Sequence, residues 1–384
     1  MKRNLLLTPG PTQIPPDICA ALGRPIIHHR TPQFQENIKE AVAGLQYILQ
    51  TKNDVYILAS SGTGAMEAAV ANLLSPGDKT ITVEGGKFGE RWTELCLAYG
   101  GMPLVVDVAW GKAVQPSQIK QLLDAHRDVK AVFVTHCETS TGVTTDIKAV
   151  ACAVKNTPAV LVVDAVSSLG VIDLPMDAWG VDVVVSASHK GLMLPPGVGF
   201  VAVNAKAEAF IEQSKSPRFY FDLRAAKKAA AKIDTPFTPA IGIIVALSES
   251  LRYFRRHGLK TLFERYARLA QGVRAAAVAL GLKLYPDPSC QSDVLTAIKL
   301  PNGLDGGKIV KILRDMHGIT IAGGQGKLKG QIIRIAHMGC IHEDDILTCL
   351  ESLEKVLAEV GHKFPEGAGV KAAQKIFDQS SLVR

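Results

Sequence analysis

The chain has 384 residues and a mass of 41.0 kDa, with 47% hydrophobic and 21% charged residues, enough for one large α/β domain and a smaller one. Its net charge of +7, from 43 basic and 36 acidic residues, is spread along the chain, and no basic block is interleaved with aromatics. That pattern argues against nucleic acid as a partner, and no apolar run approaches the ~18 residues of a membrane span.

At the start, Met1 to Leu7 is too short an apolar stretch for a signal peptide, because Thr8-Pro9-Gly10-Pro11 breaks it. The seven cysteines (Cys19, Cys96, Cys137, Cys152, Cys290, Cys340, Cys349) form no C-x-x-C pair. An odd, scattered set fits a reducing cytoplasm and not a disulfide framework. No metal site is expected.

From about residue 38 to residue 215, strand-like runs alternate with helical patterns. The strands predicted are 55–59, 80–83, 103–108, 131–135, 159–163, 181–186 and 199–203. Such alternation is the mark of a mostly parallel, doubly wound sheet. The basic stretch Arg224 to Lys232 reads as an exposed helix or a basic rim for anionic substrates. The segment 238–280 has helical periodicity. After Pro286-Asp287-Pro288, runs at 294–299, 319–321 and 331–336 read as strands of a smaller α+β domain ending near residue 360. The tail beyond Gly361 is expected to be a loosely packed extension. The units expected are residues 1–35 as an N-terminal arm, 36–250 as the large domain, 251–360 as the small domain and 361–384 as the tail.

Three features of the large domain carry chemistry. After the strand at 55–59, Ser60-Ser61-Gly62-Thr63-Gly64 opens a helical pattern, which presents free N–H groups, hydroxyls and a positive dipole end to an anion. It lacks the lysine of a P-loop and the spacing of G-x-G-x-x-G. The strand at 159–163 runs into Asp164, and the run 181–186 leads through Ser188-His189 into Lys190, 26 positions later. Ligands of open α/β sheets bind beyond the carboxyl ends of the strands, so an acid and an amine there reach one planar ligand from two sides. Pyridoxal phosphate requires that pair: a lysine for its aldehyde and an acid to keep its ring nitrogen protonated. Each feature alone has a plain structural explanation; together they point to this cofactor.

With these residues in hand, the chain from near residue 5 to about 355 resembles class V pyridoxal-phosphate aminotransferases of the alanine–glyoxylate / serine–pyruvate type. The resemblance implies the type I fold of such enzymes, a large cofactor domain plus a small C-terminal domain, and a homodimer with shared active sites. Leu7-Thr8-Pro9-Gly10-Pro11-Thr12 is similar to the family's opening loop near the substrate, which implicates Gly10. His28-His29-Arg30-Thr31-Pro32-Gln33-Phe34 is similar to the segment that follows it. Ser61, Gly62 and Thr63 match the phosphate turn. Phe88, in Lys87-Phe88-Gly89-Glu90-Arg91-Trp92, matches the aromatic that stacks on the ring.

In Glu138-Thr139-Ser140-Thr141-Gly142-Val143, the cofactor contact falls on Thr139. The resemblance makes Asp164 the ring-nitrogen partner and packs Val166 against the ring. It also sets His189 by the phosphate and makes Lys190 the lysine that joins the aldehyde. Thr235 and Thr238, in Asp234-Thr235-Pro236-Phe237-Thr238-Pro239, match a segment that reaches a partner's phosphate site. Arg334, in Ile333-Arg334-Ile335-Ala336-His337-Met338-Gly339, matches the clamp on the substrate α-carboxylate. Gln325, where relatives often carry leucine, and Ala336, where many carry glycine, depart from the pattern and bear on substrate choice.

The implied reaction moves the amino group of alanine, serine or aspartate to glyoxylate or pyruvate by a ping-pong mechanism. The alternatives are a cysteine desulfurase-like lyase, with Cys340 as the nearest thiol, and a 2-aminoethylphosphonate-type transaminase, whose donor lacks the carboxylate that Arg334 would clamp. A further class is a cofactor-binding protein without turnover, a subunit of a larger assembly.

Overall fold

The structure is a computed structural model and describes residues 4–379. Strands Asp54–Leu58 (β1), Lys79–Glu84 (β2), Met102–Asp107 (β3), Ala131–Thr135 (β4), Val160–Asp164 (β5), Val183–Ala187 (β6) and Gly199–Val203 (β7) form a seven-stranded sheet. Its order is β1-β7-β6-β5-β4-β2-β3. Only β7 runs antiparallel to its neighbours, between β1 and β6. The central strands are continuous apolar runs because both faces are covered. Ala131, Phe133, Val160 and Val162 face one core, while Val132, Val134, Leu161 and Val163 face the other.

Helices Pro32–Leu49 (α1), Gly62–Leu73 (α2), Lys87–Ala98 (α3) and Ile241–His257 (α4) cover the sheet. Met66 of α2 and Trp92 of α3 fill one core, and Ile38 of α1 and Leu247 of α4 fill the other. This is the α/β, mostly parallel, doubly wound arrangement expected from the alternation. Leu259–Ala279 (α5) leads to a four-stranded antiparallel sheet of Lys283–Leu284 (β8), Leu295–Lys299 (β9), Ala322–Gly323 (β10) and Ile332–Ala336 (β11), in the order β8-β9-β11-β10. Glu343–Glu359 (α6) follows β11.

The N-terminal arm is tied to this smaller unit. Leu5 and Leu6 pair in parallel with Ile319 and Thr320, and the Ala336 N–H donates to the Leu7 carbonyl at 2.9 Å. That pairing delivers the following Pro9-Gly10 turn to Lys190.

The region beyond Gly361 is not loose. Ala368–Gln379 (α7) is a docked helix, with Phe377 and Ala373 buried. The tip of the Phe377 ring meets Gly272 of α5, where a Cβ would fall 2.5 Å from Cε1. The Glu354 carboxylate accepts the Gly367 and Val370 N–H groups at 2.9 and 3.0 Å, which fixes the start of α7. The terminal Ser381-Leu382-Val383-Arg384, which matches no targeting signal, lies outside the described residues.

Candidate active site

Parallel alignment puts the ends of β1, β4, β5 and β6 on one edge of the sheet. Leu58 and Ala187 both stand opposite Gly199, and Asp164 stands opposite Thr135 and Val185. The loops leaving that edge carry most of the residues expected from the sequence.

Lys190 lies three residues past β6, in a turn held by its own carbonyl, which accepts the Thr12 hydroxyl at 2.8 Å and the Met193 N–H at 2.9 Å. Its side chain is 8% exposed. Nζ donates to the Pro9 carbonyl, and the backbone of Gly10 lies against the aliphatic stem. A Cβ at Gly10, whose φ is +117°, would sit 2.5 Å from Lys190 Cε. Glycine is required there both for the backbone conformation and for space. Burial pulls the Lys190 amine down to about 8, with the nearby Asp164 charge acting in the opposite sense.

Asp164 ends β5 fully enclosed. Its Oδ1 accepts the Val166 N–H at 2.7 Å, and burial pushes its carboxyl up to about 6. Val166 in turn packs on Gly62, where a Cβ would lie 2.9 Å from it. Ser61 caps α2, its hydroxyl accepting the Gly64 N–H at 3.4 Å. The helix thus starts at Gly62, within the Ser60–Gly64 turn. His189 has a buried Nδ1 with no hydrogen-bond partner, and desolvation lowers its ring to about 4.

Glu138 is the joint between two of these loops. One oxygen accepts the N–H groups of Phe88 and Gly89, each at 2.9 Å, and the other accepts the Ser140 N–H and hydroxyl at 3.1 and 2.5 Å. A buried carboxylate at the start of α3 stabilises that helix through its dipole and its free N–H groups. Phe88 is thereby fixed at the sheet edge. The next residue, Thr139, is buried, and its carbonyl accepts Arg334 Nη1 at 2.7 Å. Arg334 Nε donates to the Gly323 carbonyl at 2.8 Å, and burial lowers the guanidinium to about 10. Nη2 makes no hydrogen bond among the described residues.

Thr235 and Thr238 are not brought to this group within one chain. They line a cleft of about 20 Å³ with Leu58, Ala59 and Tyr220, and the Thr235 hydroxyl donates to the Phe237 carbonyl at 2.8 Å. Cys340 also lies elsewhere, in a cavity lined by Tyr253, Arg265 and His342. Sequence reasoning assigned no role to Glu138 or Arg91. Arg91 Nη1 donates to the Thr63 hydroxyl at 3.2 Å, and its Cζ stands 5.0 Å from the centre of the Phe88 ring. The only sequence signal for either was their place inside motifs already singled out for other residues.

The arrangement offers a buried amine that gives up its proton more easily than a free lysine, a buried acid, an aromatic face and a helix N-terminus. Comparison with known proteins agrees with that chemistry. The family model described as Aminotransferase class-V matches residues 6–340. An L-aspartate–glyoxylate aminotransferase of Paracoccus denitrificans is 37% identical, over 99% of this chain and 97% of the relative. A protein of a Synechococcus species named as the small subunit of a soluble hydrogenase is 45% identical, over 97% and 98% of the two chains. The crystal structure of a ureidoglycine–glyoxylate aminotransferase from Bacillus subtilis superposes with a TM-score of 0.93 at 28% identity, covering 98% of this chain and 99% of that one.

Proposed function

The chain belongs to the class-V aminotransferases, and from that premise we propose that it uses pyridoxal 5'-phosphate to move the amino group of alanine, serine or aspartate to glyoxylate or pyruvate. The observation that carries the reading is the pair at the ends of β5 and β6: an enclosed Asp164 and a buried Lys190 whose amine is pulled down to about 8. The residues present fit the cofactor. Gly10 and Gly62 leave room that a Cβ would fill, and the unpartnered Nδ1 of His189 sits beside the lysine.

When bound, pyridoxal phosphate supplies an aldehyde and an electron-withdrawing ring that stabilises negative charge at the substrate α-carbon. Ser61, Gly62, Thr63 and His189 would hold its phosphate, with Thr235 and Thr238 contributed from a second subunit. Phe88 and Val166 would flank the ring, and Thr139 would touch its edge. Asp164 would keep the ring nitrogen protonated. Arg334 presents its free Nη2 to the substrate carboxylate while Gly323 and Thr139 fix the plane of the guanidinium. Gly10 shapes the floor beneath the substrate. Lys190 Nζ would take the proton from the donor's α-carbon and pass it to the cofactor's former aldehyde carbon, and would move a proton in the reverse direction, to the acceptor's α-carbon, in the second half-reaction.

Aspartate is retained among the donors because the Paracoccus relative is named for it, and serine because a relative from Hyphomicrobium methylovorum is named serine–glyoxylate aminotransferase. A homodimer is supported by exposed aromatics beside Thr238: Phe219 is 80% exposed, and Tyr220 stacks on Phe237 at 5.1 Å. The odd, scattered set of seven cysteines supports a reducing, cytoplasmic setting.

The test is the visible absorption of the purified protein with single amino acids and no keto acid. A donor that bleaches the cofactor band, restored by glyoxylate or pyruvate, establishes the reaction and names the donor. Sulfide release from cysteine without bleaching would instead point to a lyase. The hydrogenase name of the Synechococcus relative favours a second reading, a subunit of a hydrogen-metabolising assembly. Hydrogen uptake by the protein isolated from its native source, combined with absence of any bleaching donor, would support that reading.

A further inference from the structure

Arg91 occupies a position that the reaction outlined above does not use. It lies on the second turn of α3, whose start is held by Glu138, and its guanidinium spans two parts of the site. Nη1 donates to the Thr63 hydroxyl at 3.2 Å, and Cζ stands 5.0 Å from the Phe88 ring centre. Among the described residues Arg91 makes no ion pair with a carboxylate. Its positive charge also lowers the proton affinity of both Asp164 and Lys190. The Thr63 hydroxyl, having accepted from Arg91, keeps its own hydrogen to donate outward.

We propose that Arg91 is a further cofactor-positioning residue, the cation that balances the cofactor phosphate together with Thr63 while holding the Phe88 ring in its stacking plane. This rests on the pyridoxal-phosphate reading. A dianionic phosphate at the start of α2 meets N–H groups and hydroxyls, which carry only partial charges. Arg91 adds the one full positive charge bonded to that turn, in a planar fork suited to phosphate oxygens.

The test titrates cofactor-free protein with pyridoxal phosphate and, separately, with pyridoxal, which lacks the phosphate. The readouts are growth of the visible band and quenching of protein fluorescence. Arg91→Gln is expected to weaken pyridoxal phosphate by about 10- to 100-fold, the range for a hydrogen bond to a charged group, and to change pyridoxal by less than about 2-fold. Arg91→Lys, which keeps the charge but loses the fork, is expected to fall between and still folds if the glutamine variant does not. Equal losses for both aldehydes would overturn the proposal, since Arg91 would then act only through Phe88. No loss for either would also overturn it. A wild-type protein that captures neither aldehyde would overturn the cofactor reading itself, whatever the variants do.

Discussion

Glu138 accepts the backbone N–H of Phe88 at 2.9 Å, a bond between residues 50 positions apart that sets the aromatic of the site from beneath its own helix. The same carboxylate accepts Gly89 and Ser140, so all its acceptor capacity is directed at protein donors. Burial raises its proton affinity, and these bonds oppose that. Glu138→Gln keeps the shape but turns an NH₂ toward N–H donors. The expected cost is about 1–3 kcal/mol, a melting point lower by a few degrees. Cofactor retention should weaken with it, because Phe88 loses its anchor. Thermal melting of the cofactor-free and loaded proteins checks both; an unchanged melt would mean the donors find other acceptors.

Lys190 gives a pH dependence. Its folded pKa of about 8 is lowered by burial, so the neutral amine that attacks an aldehyde predominates only above that pH. The rate at which cofactor-free protein captures pyridoxal phosphate should rise with pH and level off above about 8. Removing the Asp164 charge takes away a force that raises the Lys190 pKa, so in Asp164→Asn the midpoint should move lower. Stopped-flow absorbance across the neutral to alkaline range reads both midpoints. A midpoint near that of free lysine would contradict the enclosed geometry.

Much of this site is legible in the sequence because central parallel strands are unbroken apolar runs, and the polar residues just beyond them lie on the loops at one edge of the sheet. Asp164, the Ser61-Gly62-Thr63 turn and Lys190 all stand out for that reason. Glu138 and Arg91 do not, since each takes its meaning from a partner on another loop, 50 and 28 positions away. The docking of α7 was hidden in the same way. Phe377 is one aromatic in a polar tail until Gly272, on a distant helix, is seen to leave a slot for it. Thr235 and Thr238 line a separate cleft with Ala59 and Tyr220.

Asp164→Asn should also change stability, in a direction opposite to its effect on catalysis. The folded pKa of about 6 lies above the ordinary 3.8, so the folded protein binds the proton more tightly than the unfolded chain. Stability from this group is therefore present at low pH and lost as pH rises from about 4 through about 6. At neutral pH the enclosed charge costs roughly 3 kcal/mol, which asparagine does not incur while it still accepts from Val166. Cofactor-free Asp164→Asn is expected to melt higher than the parent at neutral pH and about equally at acid pH. Amino transfer should be lost in the same protein. A variant that melts lower at neutral pH would show that the carboxylate is stabilised by something beyond Val166.

Gly272 and Phe377 allow a direct test of the docked tail. A glycine inside α5 normally costs about 0.5–1 kcal/mol relative to alanine, so Gly272→Ala would stabilise an exposed helix. Here the added methyl falls 2.5 Å from the Phe377 ring, and the ring must move out of a buried slot. Overpacking of this kind costs about 1–3 kcal/mol, which outweighs the helix gain, so the single variant should be destabilised. Phe377→Ala alone should cost about 3–5 kcal/mol by opening a cavity. Phe377→Leu shortens the side chain and should recover part of the loss when combined with Gly272→Ala, a coupling between residues in contact. Urea unfolding of the parent, Gly272→Ala, Phe377→Leu and the double variant closes the cycle. Additive losses would mean that α7 is not seated on α5 in solution, and the tail would then be the loose extension that its composition suggests.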